Sequence, residues 1–153
     1  MLDEISPYLP KLCSFCAYQD RCRKEICERM AELFVPEDYY EEILAWLEKE
    51  KFWDEARFVR QYVGGKFRVK QWGKQKIRHE IKKHQVPSQW VELAIQEEIS
   101  DEAYQETLQD LITKKGREVG GMKSLAQQQK VIRFLQQRGF EWDEIWANMQ
   151  LMK

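Results

Sequence analysis

Two stretches of the sequence carry residue types able to hold a metal ion. In LCSFCAYQDRCRKEIC, the residues Cys13, Cys16, Cys22 and Cys27 are spaced C-x2-C-x5-C-x4-C, and closely spaced thiolates are common ligands of structural zinc and iron–sulfur clusters. In HEIKKH, His79 and His84 imitate the zinc-protease motif H-E-x-x-H with one residue too many. Helical geometry argues against both. Leu9, Leu12, Cys13, Cys16 and Ala17 form one apolar stripe, and Cys27 lies beside Ile26 on the inner side of the next. Three of the cysteines thus occupy core positions, where a free Cys behaves as a small hydrophobe. Cys22 falls in the turn before a helix. A zinc knuckle places a close pair in each of two tight turns, whereas the second pair here is spaced by a helical step. Histidines five apart project about 140° apart on a helix and cannot share an ion. No phosphate-cradling glycine loop, G-x-S-x-G or dinucleotide fingerprint is present, and the five serines lack a plausible histidine partner. The sequence predicts no catalytic residue, no metal site, no cofactor and no enzyme.

The chemistry it does offer is electrostatic. Between Lys66 and Lys83 stand eight Lys or Arg and one acid, Glu80. Removing them from totals of 25 basic and 26 acidic residues leaves 17 against 25, so a patch of +7 sits on a body of −8. On a helix beginning near Lys74, Ile77 and Ile81 point to the core. Lys74, Arg78 and Lys82 form one row beside that face, and Lys76 and Lys83 a second on its other flank. Upstream, Lys66, Arg68 and Lys70 interleave with Phe67, Val69 and Trp72. Solvated helix faces usually mix signs. Like charges packed this densely ask for a compensating polyanion, either nucleic acid or an acidic groove in a nucleoprotein. The candidate binding residues are Lys66, Arg68, Lys70, Trp72, Lys74, Lys76, Arg78, Lys82 and Lys83.

The elements that must position these residues are helices. The chain has 153 residues, a third of them charged, with 12% aromatics, seven Gly and four Pro. Aromatics at that level argue against disorder, and the apolar period is helical throughout. There is no run of about 18 apolar residues to span a membrane. The acidic, proline-broken start MLDEISPYLPKL does not read as a signal peptide. A cytoplasmic protein with reduced thiols is expected.

Three segments align without gaps, from Arg23, Lys74 and Gln128. Their apolar positions are Ile26, Met30, Val35, Tyr40 and Leu44; Ile77, Ile81, Val86, Val91 and Ile95; and Val131, Leu135, Phe140, Ile145 and Met149. Each reads as helix, tight turn, helix. In the first two copies a third helix follows, opening at Asp54 and Asp101, where an aspartate can cap exposed amides. The fold class expected is all-α: an elongated tandem array of three-helix repeats, the last one truncated. Residues 1–70 would hold the first repeat with its N-terminal helix and 71–115 the basic second repeat. A third hairpin at 125–153 would follow a flexible link, 116–124, whose glycines carry no apolar period. Gly64–Gly65 marks either a weak point in a long helix or its end.

These residues resemble the RecX family, bacterial modulators of the RecA recombinase. The likeness is carried by FWDEARFVRQYVGGKFRVKQWGKQKIRHEIKKHQV, in which Asp54, Arg57, Phe58, Gly73, Ile77 and Ile81 fill the pattern. It is carried also by IRFLQQRGFEWDEI and by CAYQDRCRKEI, with Cys22 where a helix-capping serine is commoner. Two turns depart from the family's glycine, at FVPE and at His84–Gln85. The resemblance covers essentially the whole chain. It implies a non-enzymatic, monomeric regulator of DNA repair, the SOS response and homologous recombination. Such a protein lies in the groove of the RecA–single-stranded DNA filament, bridges protomers and opposes ATPase, strand exchange and coprotease activity. The basic segment would then face DNA phosphate or acidic filament surface. The residues by themselves reach only a helical repeat protein with a polyanion-binding face. A DNA-binding module without RecA dependence, or a scaffold for acidic proteins, would share that face.

Overall fold

The apolar spacing of four along each aligned segment can be buried only if the segment is helical, and the computed structural model, which describes residues 2–152, is helical throughout. In chain order the helices are α1 (Leu2–Ile5), α2 (Leu9–Tyr18), α3 (Arg23–Glu32), α4 (Tyr40–Lys49), α5 (Glu55–Arg68), α6 (Lys74–Ile81), α7 (Ser88–Glu98), α8 (Asp101–Glu118), α9 (Leu125–Gln137) and α10 (Trp142–Leu151). Short 3-10 turns join α1 to α2, lead into α4 and extend α6 through Lys82–His84. No strand occurs among the described residues.

The threefold alignment is reproduced in space. Of its fifteen apolar positions, all but Tyr40 and Val86 are buried, and those two are half-buried. The residue before the third aligned position has a left-handed backbone in every copy: Phe34 at φ 59°, Gln85 at 54° and Gly139 at 101°. At Phe34 and Gly139 the chain bonds back into the helix it leaves, the Val35 amide to the Met30 carbonyl and the Phe140 amide to that of Leu135, which is the geometry that ends a helix on a left-handed residue. Glycine adopts it without strain; Phe34 and Gln85 hold it at a cost of about 1–2 kcal/mol each.

The expected boundaries shift. Buried residues from Ile5 to Trp53, Cys22 excepted, share one core, formed by α1–α4, whereas Cys22 and Phe58 through Met149 form another. Helix α5, expected to close the first repeat, buries Phe58, Val59, Val63 and Phe67 in the second core and packs along α7. The sequence phase follows the most visible hairpin; the core places α5, α6 and α7 together. The third unit is then α8, α9 and α10, complete rather than truncated. The link expected at 116–124 is shorter and more ordered. Helix α8 continues to Glu118 with Gly116 buried. The side chains of Gln127 and Gln128 donate to the Val119 and Met122 carbonyls, and the Lys123 and Ser124 amides donate to Gln127. Asp54 caps α5 as expected, accepting from the Arg57 amide, but α8 is capped by Ser100, which accepts from Ala103.

Gly64–Gly65 lies inside α5, which runs unbroken to Arg68. A Cβ on Gly64 would meet the Arg68 guanidinium at 2.3 Å, so its absence lets that side chain lie along the helix. A Cβ on Gly65 would meet nothing within 4 Å. Gly65→Ala should therefore stabilise the fold by about 0.5–1 kcal/mol, the intrinsic helix difference. Denaturant unfolding measures it, and a destabilised variant would show that α5 needs the glycine for a close approach.

Candidate nucleic-acid interface

Where α5 stops, the chain turns sharply to begin α6. Gln71 takes a left-handed backbone (φ 56°), its amide bonds the Phe67 carbonyl, and the Trp72 amide bonds that of Lys66. The turn folds Trp72 back over α5. The Lys66 ammonium then stands 4.9 Å and the Lys76 ammonium 4.7 Å from the Trp72 ring centroid, with Lys66 also 5.2 Å from that of Tyr62. Each of these pairs is worth about 0.5–1 kcal/mol at an exposed site. They hold two cations and an indole in one half-buried cluster.

Helix α6 begins at Lys74 behind Gly73, which has no side chain to cap it. The Tyr104 hydroxyl, from α8, accepts the Lys74 amide at 3.0 Å. That phenol is 1% exposed, and burial raises its pKa well above the ordinary tyrosine range, so it stays a neutral cap. The Lys74 ammonium lies 4.4 Å from the Tyr104 ring centroid.

The third unit completes the joint. The Gly73 amide donates to the Arg138 carbonyl at 2.7 Å, and the Gln75 amide to that of Gly139 at 3.0 Å. The Arg138 guanidinium donates to the Lys70 carbonyl at 2.6 Å. Arg138 borders a cleft of about 220 Å³ with Gln71, Lys114, Lys115, Glu118 and Phe134. Lys115 pairs with Glu118 at 3.1 Å, so Arg138 and Lys114 are the cations that continue the basic face beyond α6. Nothing near Arg138 or Lys114 in the chain signals this, because the continuity is made by docking.

Of the nine candidate residues, three cations are ion-paired, five have no ion pair among the described residues, and Trp72 is uncharged. Arg78 makes a two-pronged ion pair with Glu92 of α7, at 2.8 and 2.9 Å. Arg68 pairs with Glu98 at 3.5 Å and Lys83 with Glu80 at 2.5 Å. Glu80 is held below the usual carboxylate range chiefly by the Lys83 hydrogen bond. The expected excess of eight cations over one acid is thus partly met from α7, and the row Lys74, Arg78, Lys82 is not a uniform one. Lys66, Lys70, Lys76 and Lys82 have no ion-pair partner among the described residues, and Lys70 and Lys82 are exposed. Two of these four, Lys66 and Lys76, stand over Trp72; Lys74, also without an ion pair among the described residues, lies over the Tyr104 ring.

The cysteines do not assemble. Among the described residues no three of their sulfur atoms lie within 4.8 Å of one another. Cys16 is buried on α2, Cys13 and Cys27 are half-buried, and Cys22 is buried at the start of α3. Burial pushes the Cys16 thiol up to about 11 and the Cys22 thiol up to about 12.

Comparison with known proteins follows the same division of the chain. The profile of the RecX second three-helix domain matches residues 54–95, and that of the RecX third three-helix domain residues 101–148. Together they span more than half of the sequence, and the first begins where the cores divide. A regulatory protein RecX of Chlorobium limicola is 26% identical over 144 residues, covering 94% of this chain and 86% of that protein. One from Leuconostoc mesenteroides is 24% identical over 141 residues, or 92% of this chain; the chain spans about half (52%) of that relative's length. The crystal structure of RecX from Lactobacillus salivarius superposes with a TM-score of 0.87 at 23% identity, over 98% of this chain and 97% of that one. A second crystal structure, of a regulatory protein RecX, gives 0.79 at 21% identity, over 92% and 72%. No helix among the described residues is long and apolar enough to cross a membrane.

Proposed function

This chain belongs to the RecX family of regulatory proteins, and on that premise we propose that it is a non-enzymatic regulator that binds the RecA–single-stranded DNA filament and opposes RecA's ATPase, recombinase and coprotease activities. The observation that carries the reading is the set of unpaired cations Lys66, Lys70, Lys76 and Lys82 around Trp72, on a helical array. Unpaired lysines recognise phosphate as point charges, and an indole among them offers a stacking surface to an unpaired base. Arg138 and Lys114 extend that charge along the array, as a groove-lying protein requires, while Lys115 is answered by Glu118. The protein acts as a monomer in the cytoplasm.

The test is co-sedimentation with RecA, with and without single-stranded DNA. The protein should pellet with the filament, slow its DNA-dependent ATPase, and bind bare DNA with weaker affinity. Binding to bare DNA as tightly as to filaments, with an equally steep salt dependence, would make it a general DNA-binding module instead.

A further inference from the structure

Cys22 finds its partner in another helical unit. Its sulfur lies 3.6 Å from Nδ1 of His84, 62 residues along the chain. With the Glu25 carboxylate they form a group whose ligand atoms all lie within 4.8 Å of one another. We propose that Cys22, Glu25 and His84 form a binding site for one divalent transition-metal ion, best suited to zinc, at the joint between the first and second helical units.

The ligand types are those of a tetrahedral site with one open position: a thiolate, an imidazole and a carboxylate. Zinc–sulfur and zinc–nitrogen bonds of ordinary length around a tetrahedral ion put sulfur and nitrogen about 3.5 Å apart, so the pair already stands at a chelating separation. Cys22 is wholly buried, whereas Glu25 and His84 are half-buried. Sulfur therefore forms the floor and the other two the rim, which leaves a path for the ion and a water.

The ligands are held before any ion arrives. Cys22 and Glu25 are the two ends of a capping box at the start of α3, where the Cys22 amide donates to the Glu25 carboxylate at 3.0 Å. The second carboxylate oxygen remains available. The His84 ring is fixed edge-on by Phe58 and Tyr62, at 5.1 and 5.3 Å between centroids. A thiol donating to Nδ1 requires the proton on Nε2, the same tautomer that offers the Nδ1 lone pair to a metal.

The Glu25 carboxylate stands beside the Cys22 thiol, and Lys24 turns its ammonium to the Lys83 carbonyl. On binding, the thiol releases one proton to solvent and the thiolate takes the ion; thiolate and carboxylate together neutralise a dication. Affinity should accordingly rise with pH.

The site's position gives it a consequence. Cys22 caps α3, a helix of the first unit, yet belongs to the second core, and His84 ends the α6 turn. Beside them Lys24 of α3 donates to the Lys83 carbonyl at 2.7 Å. An ion here ties the first unit to the second and fixes the angle between them.

The test uses the reduced, full-length chain without RecA or DNA, so its outcome is independent of the filament reading. Cobalt(II) titration should give one equivalent with a thiolate-to-cobalt charge-transfer band, displaced by zinc, and zinc should raise Tm. Cys22→Ser keeps a good helix cap and should fold normally by circular dichroism. It should lose the band and weaken zinc binding by more than about 100-fold, since losing even an outer-shell partner costs up to that much. His84→Gln should behave likewise. No charge-transfer band in the parent protein, or a band that survives in Cys22→Ser, would overturn the proposal and leave a thiol–imidazole hydrogen bond in its place.

Discussion

Gln at Lys66, Lys70, Lys76 and Lys82 together should leave the helical circular dichroism unchanged and weaken filament binding on the order of 10³-fold at physiological salt. Every lysine–phosphate interaction that disappears lowers the slope of log K against log salt by about one, so the slope should fall by about four. These are cations with no ion-pair partner among the described residues; changes at the exposed Lys70 and Lys82 alter stability by about 0.5 kcal/mol or less, whereas Lys66 and Lys76 also give up ring contacts worth about 0.5–1 kcal/mol each. The informative control is the paired set, Arg68, Arg78 and Lys83 to Gln. Those side chains already answer Glu98, Glu92 and Glu80, so with each acid changed to Gln alongside its partner the net charge is unchanged and no unpaired cation is lost. Binding should weaken only about tenfold, and stability should shift by at most about 1 kcal/mol per pair. The readouts are salt-dependent co-sedimentation with RecA filaments and inhibition of the DNA-dependent ATPase. If both sets weaken binding equally, the absence of an ion pair does not mark the binding cations. If neither does, the basic face is only solvated surface. Lys74 belongs to neither set because the ring under its ammonium is that of Tyr104, buried in the core, whereas the ring under Lys66 and Lys76 is Trp72 of the candidate face itself.

Gly139→Ala should cost about 3 kcal/mol and lower Tm by about 10 °C, because two penalties combine. Gly139 has φ 101°, where an L side chain is strained by about 1–2 kcal/mol. A Cβ there would also lie 2.5 Å from the Lys76 backbone nitrogen and 2.4 Å from its Cβ, and forcing atoms into a closed space costs about 1–3 kcal/mol. For a chain of this length each kcal/mol moves Tm by about 2–4 °C. Gly73→Ala should be similarly severe, although Gly73 has an ordinary negative φ of −74°. Its Cβ would fall 2.3 Å from the Gly139 carbonyl carbon, where two backbones meet and neither has a flexible end to yield. Thermal and urea unfolding measure both. Two variants within about 1 kcal/mol of the parent, well short of the overpacking cost, would mean that the second and third units dock less closely than these distances state. Since Arg138 and the Gly73–Arg138 hydrogen bond belong to the same joint, the destabilised variants should also bind filaments more weakly.

What the sequence by itself determined is what repeats locally. A spacing of four states which face of a helix is buried, and the three aligned segments name a set of positions that the structure buries or half-buries. The tight turns were readable for the same reason: their left-handed residue falls at one alignment position, whether it is Phe34, Gln85 or Gly139. The basic segment was visible as composition. Periodicity says that a face is buried but not against what, so the rest waited for tertiary packing. Helix α5 reads equally well as the end of one unit or the start of the next; only the packing of Phe58, Val63 and Phe67 with α6–α8 assigns it. The excess of charge between Lys66 and Lys83 counts acids along the chain, while Glu92 and Glu98 come to Arg78 and Arg68 from α7 across space. Gly73 and Gly139 each look like an ordinary turn residue, and their shared reason, a meeting of two backbones, exists only once the units are docked. Nothing local joins Cys22 to His84, which lie on different helices; it is the joint between the first two units that brings sulfur to nitrogen.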